Sequence, residues 1–282
     1  MRPQSLPDAL EALAAGPAGA PLGVIAGGTD WYPALGDGPP PAHVLDVTGI
    51  EALRAIEHGP DGTRIGATAT WTDVIRAELP PAFDALRAAA REVGSVQIQN
   101  AATVAGNLCT ASPAADGAPP LLALGASVEL ASAGAVRTLP LEAFLLGPRD
   151  TARRSDELVT AILVPAHRPD TLSRFAKLGA RRYLVISIAM AAVTLELDGG
   201  GTVARAGVAV GSCAPTARRL PALEAALVGR RPEGGLGNAV EDSMLEAALA
   251  PIDDVRASAA YRLEAAAETL RRMLDAMRGT GS

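Results

Sequence analysis

At the start of the chain, apolar and polar positions alternate in the pattern of a helix, followed by a strand and a loop. The stretch "SLPDALEALAAG" (5–16) has helical spacing behind a serine cap and ends at Gly16. The stretch "PLGVIAGGTD" (21–30) is an apolar strand that runs into a glycine turn. The two stretches predict a short capped helix followed by a strand and a glycine-rich loop.

Strand and helix patterns continue in mixed order up to about Pro165. Three stretches have strand composition: "AHVLDVT" (42–48), "TRIGATAT" (63–70) and "DELVTAILVP" (156–165). Residues 71–94 have helical spacing with a break at Pro80 and Pro81. The stretch "ASVELASAGAVRTLPLEAFL" (126–145) predicts a hairpin and a short helix. Up to Pro165, the pattern therefore predicts a mixed α+β region.

The pattern changes after "PAHRPDTL" (165–172), where two prolines and polar residues separate apolar runs and indicate a domain boundary. Residues 174–212 predict long strands around a "DGGG" turn (198–201). Three helical stretches follow: "ARRLPALEAALVG" (217–229), "MLEAALAPI" (244–252) and "DVRASAAYRLEAAAETLRRMLDAMRG" (254–279). A strand-rich domain closed by helices is therefore expected at the C-terminus.

Composition allows two buried cores and excludes some partners. The chain has 282 residues, of which 49% are hydrophobic, and a formal net charge of −6. No cluster of basic residues interleaves with aromatic residues, so nucleic acid is not an expected partner. Cys109 and Cys213, the two cysteines of the chain, lie far apart in the sequence. They support neither a disulfide framework nor a structural zinc or iron–sulfur site, so a reducing compartment is expected. Without a signal peptide or membrane-spanning apolar run, a cytoplasmic location is expected.

Two similar glycine segments are candidates for binding an anion. "IAGGTD" (25–30) and "VAGNLC" (104–109) each place an apolar strand end before Ala-Gly and then a hydroxyl or amide residue. Glycines let an anion approach the main chain, and turn N–H groups bind phosphate oxygens without a lysine. Neither segment has a Walker Gly-Lys-Ser/Thr, and the chain lacks Gly-x-Gly-x-x-Gly. Each segment alone is also typical of an ordinary tight turn.

Other polar residues favour structural roles. The three histidines lack partners at metal-ligand spacing and are interpreted as solvated or structural: His43, His58 and His167. Cys109 is expected to be a small buried filler rather than a redox thiol. Arg181 and Arg182 could dock a partner or solvate a strand end. The acids of "DDVR" (253–256) are expected to cap the last helix at its N-terminus.

Five blocks in order resemble one family over essentially the whole chain. They are "AGGTD" (26–30), "ATVAGNLCTASPAADGAPPLLALGA" (102–126), "KLGARRYLVISIA" (177–189), "APT" (214–216) and "PIDDVRASAAYR" (251–262). Their order and spacing resemble the FAD-binding medium subunits of molybdenum hydroxylases, of the xanthine dehydrogenase and carbon monoxide dehydrogenase type. Five ordered blocks are far more specific than one glycine segment.

The resemblance implies an α+β fold in two domains. A vanillyl-alcohol-oxidase-like (PCMH-type) FAD-binding domain is expected at residues 1–168, with subdomains at about 1–55 and 56–168. A C-terminal domain with a three-stranded antiparallel sheet and helices is expected at residues 169–282, covering the isoalloxazine.

The resemblance also implies a site for non-covalently bound FAD. The residues implied for the pyrophosphate are Ala26, Gly27, Gly28, Thr29, Asp30, Thr103, Gly106 and Asn107, and those assigned to the same cofactor site without a separate role are Ile25 and Ser112. Asp116 is expected to accept from the adenosine ribose hydroxyls, Val159 to lie on the adenine side, and Lys177 to reach the flavin. No catalytic acid or base and no metal ligand is expected in this chain.

Two positions depart from the family pattern. Many members have glycine where this chain has Ala105, which adds a methyl group near the expected pyrophosphate. Members commonly have aspartate where Val185 precedes Ile-Ser, in a loop near the flavin face. The resemblance therefore leaves the final electron acceptor open.

By the resemblance, the chain is an electron-transfer subunit of a heterotrimer. A small partner would carry [2Fe–2S] clusters and a large partner molybdopterin, in a dimer of heterotrimers. Electrons would pass from the clusters through FAD to NAD⁺ or another acceptor, while the large partner hydroxylates the substrate. Two alternatives are a stand-alone FAD-dependent oxidase of the same flavin fold and a non-catalytic nucleotide-binding scaffold. Neither His nor Cys occurs in "AGGTD" for covalent attachment, which disfavours the oxidase.

Overall fold

Helices occur throughout the chain in the computed structural model, which describes residues 1–16 and 22–277. They are α1 (Leu6–Ala15), α2 (Trp31–Leu35), α3 (Trp71–Arg76), α4 (Asp84–Glu92), α5 (Val96–Ala101), α6 (Val104–Thr110), α7 (Ala118–Ala123), α8 (Leu141–Phe144), α9 (Pro221–Leu227), α10 (Asp242–Ala248) and α11 (Ala259–Asp275). Within the described residues, no helix combines the length and the apolar character that crossing a membrane requires.

Within residues 1–16 and 22–277, the strands form four sheets, and together with the helices they confirm the predicted mixture of helix and sheet. They are β1 (Gly23–Ile25), β2 (Val44–Asp46), β3 (Ile56–Gly59), β4 (Gly62–Gly66), β5 (Ser127–Ala131), β6 (Val136–Pro140), β7 (Leu145–Gly147), β8 (Asp150–Thr151), β9 (Leu158–Pro165), β10 (Leu172–Leu178), β11 (Ala189–Leu197), β12 (Val203–Gly211) and β13 (Arg218–Arg219). The two larger sheets have five and four strands.

The N-terminal unit is the helix, strand and loop that the pattern predicts. The Ser5 hydroxyl accepts a hydrogen bond from the N–H of Asp8 and caps α1, which ends at Gly16 with a positive φ of 38°. Leu10 of α1 and Leu45 of β2 are buried in the same hydrophobic core. Strand β1 pairs in parallel with β2 and ends at Ile25, where the glycine segment begins.

The five-stranded antiparallel sheet has the order β3-β4-β9-β5-β6. Strand β9 lies at its centre and is buried along nearly its whole length. This burial explains why "DELVTAILVP" is a continuous apolar run rather than an alternation. Helices α3, α4, α6 and α7 contribute to the same core, in which Trp71, Phe83 and Phe144 are the largest fully buried side chains.

The C-terminal sheet has the order β10-β11-β12-β13, so it has one strand more than the three implied by the resemblance. The added strand β13 is two residues long and pairs with β12 through Ala209 and Arg219. It lies in a stretch predicted to be helical from residue 217. Because Pro221 starts α9 and residues before a proline favour extended backbone, the helix begins later than predicted. Helices α9, α10 and α11 cover this sheet.

Helix α7 joins the C-terminal sheet to the rest of the protein. A Cβ atom on Gly207 of β12 would lie 2.0 Å from the main-chain oxygen of Ala123, so a glycine is required for this close approach. The N–H of Ser212 donates to the Pro113 oxygen at 2.8 Å, just before α7. The C-terminal sheet is therefore fixed beside residues 112–117.

The segment "VAGNLC" is a helix, and the prediction of a strand end followed by a turn was wrong. The Thr103 hydroxyl caps α6 by accepting from the N–H of Gly106 at 3.0 Å. Val104 and Leu108, four residues apart, bury one face of the helix. A Cβ at Gly106 would lie 2.7 Å from Thr103 Oγ1, so the glycine serves the helix cap.

The last helix begins at Ala259, five residues later than predicted. Residues 254–257 instead form a turn in which Asp254 Oδ1 accepts from the N–H groups of Arg256 and Ala257. Ser258 caps α11, and Asp253 accepts from the N–H of Ala259, which agrees with the expected capping role. The predicted end of this helix at residues 278–279 and the start of the predicted strand at residue 21 lie outside the described residues.

Candidate functional site

Two adjoining cavities form one cleft between the glycine segment, α6 and the C-terminal sheet. Their volumes are about 460 and 580 Å³, in the range of ligand pockets. The residues that line both cavities are Asp30, Val93, Asn107, Thr110 and Arg149. The first half of the cleft extends from these residues along the glycine segment, and the second half extends toward Asp116 and Lys177.

The glycine segment and the end of α5 form the wall of the first half. Gly28 has a φ of 70°, in the left-handed region that favours glycine. A Cβ on Gly27 would lie 1.9 Å from the main-chain oxygen of Ala101, so the segment is pressed against the end of α5. Thr103, the cap of α6, comes two residues after Ala101, so the second glycine segment starts at this contact. The two glycine segments are therefore neighbours in space, although residues 31–103 separate them in the sequence.

The second segment does not form the turn of free N–H groups that the sequence suggests. The N–H of Gly106 donates to Thr103 Oγ1, and the N–H of Asn107 donates to the Thr103 oxygen at 3.1 Å. Both donors are therefore used inside the helix. The segment still lines the cleft through Thr103, Gly106 and Asn107.

Two buried side-chain atoms at the wall of the first half lack hydrogen-bond partners among the described residues. They are Trp71 Nε1, a donor, and Asn107 Oδ1, an acceptor. Buried polar atoms are normally satisfied by protein groups, ordered water or a ligand. This wall therefore fits a ligand with both polar and apolar parts, as FAD has.

Asp116, Lys177 and Ser187 form a buried network at the second half. Lys177 Nζ lies 2.6 Å from Asp116 Oδ2, and Ser187 Oγ donates to Asp116 Oδ1 at 2.8 Å. Lys177 is the only lysine of the chain, and its side chain is 7% exposed. Burial raises the pKa of the Asp116 carboxyl, and the charge and hydrogen bond of Lys177 oppose the rise. The network fixes an ammonium group at the cleft wall.

The remaining candidates have structural environments. Cys109 lines the first half, and burial raises the pKa of its thiol to about 11, so it is protonated at neutral pH. His167 is buried, with Nδ1 2.7 Å from Glu196 Oε1 and Nε2 3.0 Å from the Leu124 oxygen. His58 bonds to the Thr63 hydroxyl. Among the residues that the structure describes, no group of His, Cys, Asp and Glu could hold a metal ion.

Twelve of the thirteen predicted cofactor residues line the cleft. Those on the first half are Ile25, Ala26, Gly27, Gly28, Thr29, Asp30, Thr103, Gly106 and Asn107, and those on the second half include Ser112, Asp116 and Lys177. Val159 lies apart from them, buried in β9 opposite Leu130.

Sequence reasoning missed several residues of the cleft wall. They are Trp71, Val93, Arg149, Leu184 and Ile186. The apolar ones look like ordinary core or loop residues in the sequence. Arg149 had a detectable signal, because "GPRD" (147–150) has the composition of a turn between two strands.

Two known families match this chain and together cover nearly all of it. The family described as the FAD binding domain in molybdopterin dehydrogenase matches residues 1–167. The family described as the CO dehydrogenase flavoprotein C-terminal domain matches residues 174–277.

Similar proteins are subunits of dehydrogenases. The chain is 31% identical to the xanthine dehydrogenase FAD-binding subunit of Escherichia coli O157:H7, over 93% of this chain and 89% of that subunit. It is 33% identical to the nicotinate dehydrogenase FAD-subunit of Eubacterium barkeri, over 64% of this chain and 63% of that subunit. A solved structure of carbon monoxide dehydrogenase from Hydrogenophaga pseudoflava, lacking the Mo-pyranopterin moiety, matches with a TM-score of 0.87 and 28% identity. The match covers 96% of this chain and 93% of that one.

Proposed function

This chain belongs to the family of FAD-binding subunits of molybdopterin-dependent dehydrogenases, and on that premise we propose that it is the electron-transfer subunit of a heterotrimeric molybdenum hydroxylase. When bound, FAD supplies a redox centre that accepts electrons from one-electron carriers and passes them to an acceptor such as NAD⁺. The residues of this chain bind and orient the cofactor without covalent attachment. No side chain is assigned a role as acid or base.

The observation that carries this proposal is the shared cleft. The glycine segment 25–30, the start of α6, Asp116 and Lys177 all line it, although they come from four separate parts of the sequence. The glycine segment and Thr103 would hold the diphosphate of FAD, since main-chain and hydroxyl donors suit a diphosphate that is held and never transferred.

The Asp116–Lys177 contact limits how FAD can lie. FAD is an extended molecule, and the Asp116 carboxylate and the Lys177 ammonium group are only 2.6 Å apart. The two groups would therefore face the same part of the bound cofactor. The resemblance assigns Asp116 to the adenosine ribose and Lys177 to the flavin, which are opposite ends of FAD. We favour the flavin end for both, because the C-terminal loop with Leu184 and Ile186 offers an apolar wall for a ring system on the same half.

We propose that the chain is divided into the same two domains as the family. Residues 1–168 would form a PCMH-type FAD-binding domain, with subdomains at about 1–55 and 56–168, and residues 169–282 the C-terminal domain. In support, the central strand β9 ends at Pro165, and β10, the first strand of the C-terminal sheet, begins at Leu172. Val159 would act on the adenine side only indirectly, through the packing of β9.

Partner chains complete the proposal. A small subunit would hold the [2Fe–2S] clusters and a large subunit the molybdopterin, assembled as a dimer of heterotrimers. The relatives named as FAD subunits of xanthine and nicotinate dehydrogenases support a division of cofactors among chains.

The test is co-expression with the reading frames of the candidate small and large partners. Size-exclusion chromatography with light scattering should show a stable assembly with two copies of each chain. Under anaerobic conditions, substrate should bleach the flavin absorbance of the assembly and leave the isolated chain oxidised. Xanthine, other N-heterocycles, aldehydes and carbon monoxide are the substrates to try.

Two outcomes would overturn the proposal. Bleaching of the isolated chain's flavin by substrate would favour the stand-alone oxidase. A colourless chain that binds no flavin, alone or with partners, would favour the scaffold.

A further inference from the structure

Arg149 occupies an unusual place at the centre of the cleft. It follows Pro148 in the turn between β7 and β8, a short antiparallel hairpin. Its φ of 61° lies in the left-handed region, where a residue with a Cβ atom is disfavoured. Such a backbone persists when the surroundings impose it, and it often marks a functional position.

Arg149 is exposed, and its charge has no partner among the residues that the structure describes. Within the described parts of the chain, Arg149 has neither a hydrogen-bond partner nor a salt-bridge partner for its side chain. Its neighbours in sequence and space differ: Arg137 Nε pairs with Glu157 Oε1 at 2.6 Å, and Arg153 donates to the Glu157 oxygen at 2.8 Å. The side chain of Arg154 is also unpaired within the described residues, but Arg154 lines neither half of the cleft, so Arg149 is the unpaired arginine of this segment that faces the cleft.

The charges at the junction of the two halves point to an anion. Of the five residues that line both halves, Arg149 is the cation and Asp30 the acid. Lys177 on the second half is already paired with Asp116. Arg149 is thus the cation that remains available where the two halves meet.

FAD has its own anionic group in the middle of the molecule. The diphosphate links the adenosine and flavin parts, so a cofactor that occupies both halves brings its diphosphate to their junction. We propose that the Arg149 guanidinium binds the FAD diphosphate, in addition to the glycine segment. A planar guanidinium matches phosphate oxygens and forms charge-assisted hydrogen bonds. This inference rests on the proposed function.

The test compares Arg149→Gln with Arg76→Gln in the full chain, co-purified with any partner chains and stripped of flavin. Glutamine keeps the Cβ atom, so the backbone at 149 is unchanged, and Arg76 is exposed and outside both cavities. Fluorescence titration with FAD should give a Kd about tenfold higher for Arg149→Gln and an unchanged Kd for Arg76→Gln. The FAD affinity of Arg149→Gln should also depend less on salt concentration.

Two further probes locate the contact. ADP, which has the diphosphate without the flavin, should bind Arg149→Gln with a Kd raised by about the same factor as that of FAD. Riboflavin, which has no phosphate, should bind parent and variant equally. Equal FAD affinity in parent and Arg149→Gln, or a loss seen with riboflavin but not with ADP, overturns the inference. A parent protein that fails to bind FAD overturns the proposed function instead.

Discussion

Lys177 Nζ lies 2.6 Å from Asp116 Oδ2, so the only lysine of the chain is paired across the contact between the C-terminal sheet and the segment before α7. Both side chains are less than a tenth exposed. Removing one member of such a pair leaves the other charge buried without a partner, which costs more than the pair itself contributes. The wall of the cleft at this position therefore depends on Asp116 and Lys177 as a pair.

The variant Asp116→Ala should weaken FAD binding by about 1–3 kcal/mol, because the cleft loses a charged partner in a nearly buried position. Flavin fluorescence on release measures the affinity. Ser187→Ala is the matched control: it removes one hydrogen bond to Asp116 and leaves the Lys177 pair, so a smaller loss is expected. Equal FAD affinity in Asp116→Ala and parent would remove Asp116 from the site.

The same variant distinguishes the two ends of the cofactor. If Asp116 faces the flavin end, as we propose, Asp116→Ala should weaken binding of FMN and leave ADP binding unchanged. Weaker ADP binding with unchanged FMN binding would instead place the adenosine ribose at Asp116.

The variant Gly27→Ala should lower the stability and the FAD content together. Its Cβ would lie 1.9 Å from the Ala101 oxygen, so the glycine segment or α5 must move, at a cost of about 1–3 kcal/mol. Gly59→Ala is the control, since a Cβ there meets no atom within 4 Å. Thermal unfolding and the ratio of flavin to protein absorbance are the measurements. A Gly27→Ala protein with parental values of both would contradict the packing argument.

Because of the turn before α11, the stability of the protein should change with pH in the acid range. The N–H of Arg256, assisted by the side chains of Arg262 and Arg256, lowers the pKa of Asp254 to about 2. Because an unfolded aspartate titrates near 3.9, the stabilisation is complete above that pH and is lost as pH falls toward 2. The difference in melting temperature between parent and Asp254→Asn should therefore be constant above pH 5 and shrink below pH 4. A difference in melting temperature that grows as the pH falls would contradict the prediction.

FAD should be released completely by acid precipitation. The segment "AGGTD" contains no His or Cys for a covalent bond. The thiol of Cys109, on the same half of the cleft, is kept protonated by its raised pKa. The absorbance of the supernatant measures the release, and a yellow pellet would refute the prediction.

The sequence predicted much of the sheet structure, because its signals were local. The "DGGG" turn lies between β11 and β12, as expected, and Asp198 Oδ1 accepts from the N–H groups of Gly200 and Thr202 there. The break at Pro80 and Pro81 separates α3 from α4, also as expected. Periodicity and turn residues act over a few positions and are visible in one chain.

Features that depend on distant contacts were missed. The glycine of "VAGNLC" looks like a turn residue, but the structure uses it to admit the Thr103 cap of α6. The Asp116–Lys177 pair joins residues 61 positions apart, and no local pattern reveals it. Arg149 reaches the cleft only because its hairpin packs beside α6, which is likewise a tertiary relationship.

The position of His167 affects how flavin subunits of this family can be recombined. Its imidazole lies at the end of the segment matched to the first family, and it contacts Glu196 of the C-terminal sheet and the Leu124 oxygen after α7. The connection between the two matched segments is therefore part of their interface rather than a tether. A chimera that joins residues 1–167 of this chain to the C-terminal segment of a relative would lose the Glu196 contact unless the relative supplies an equivalent acceptor.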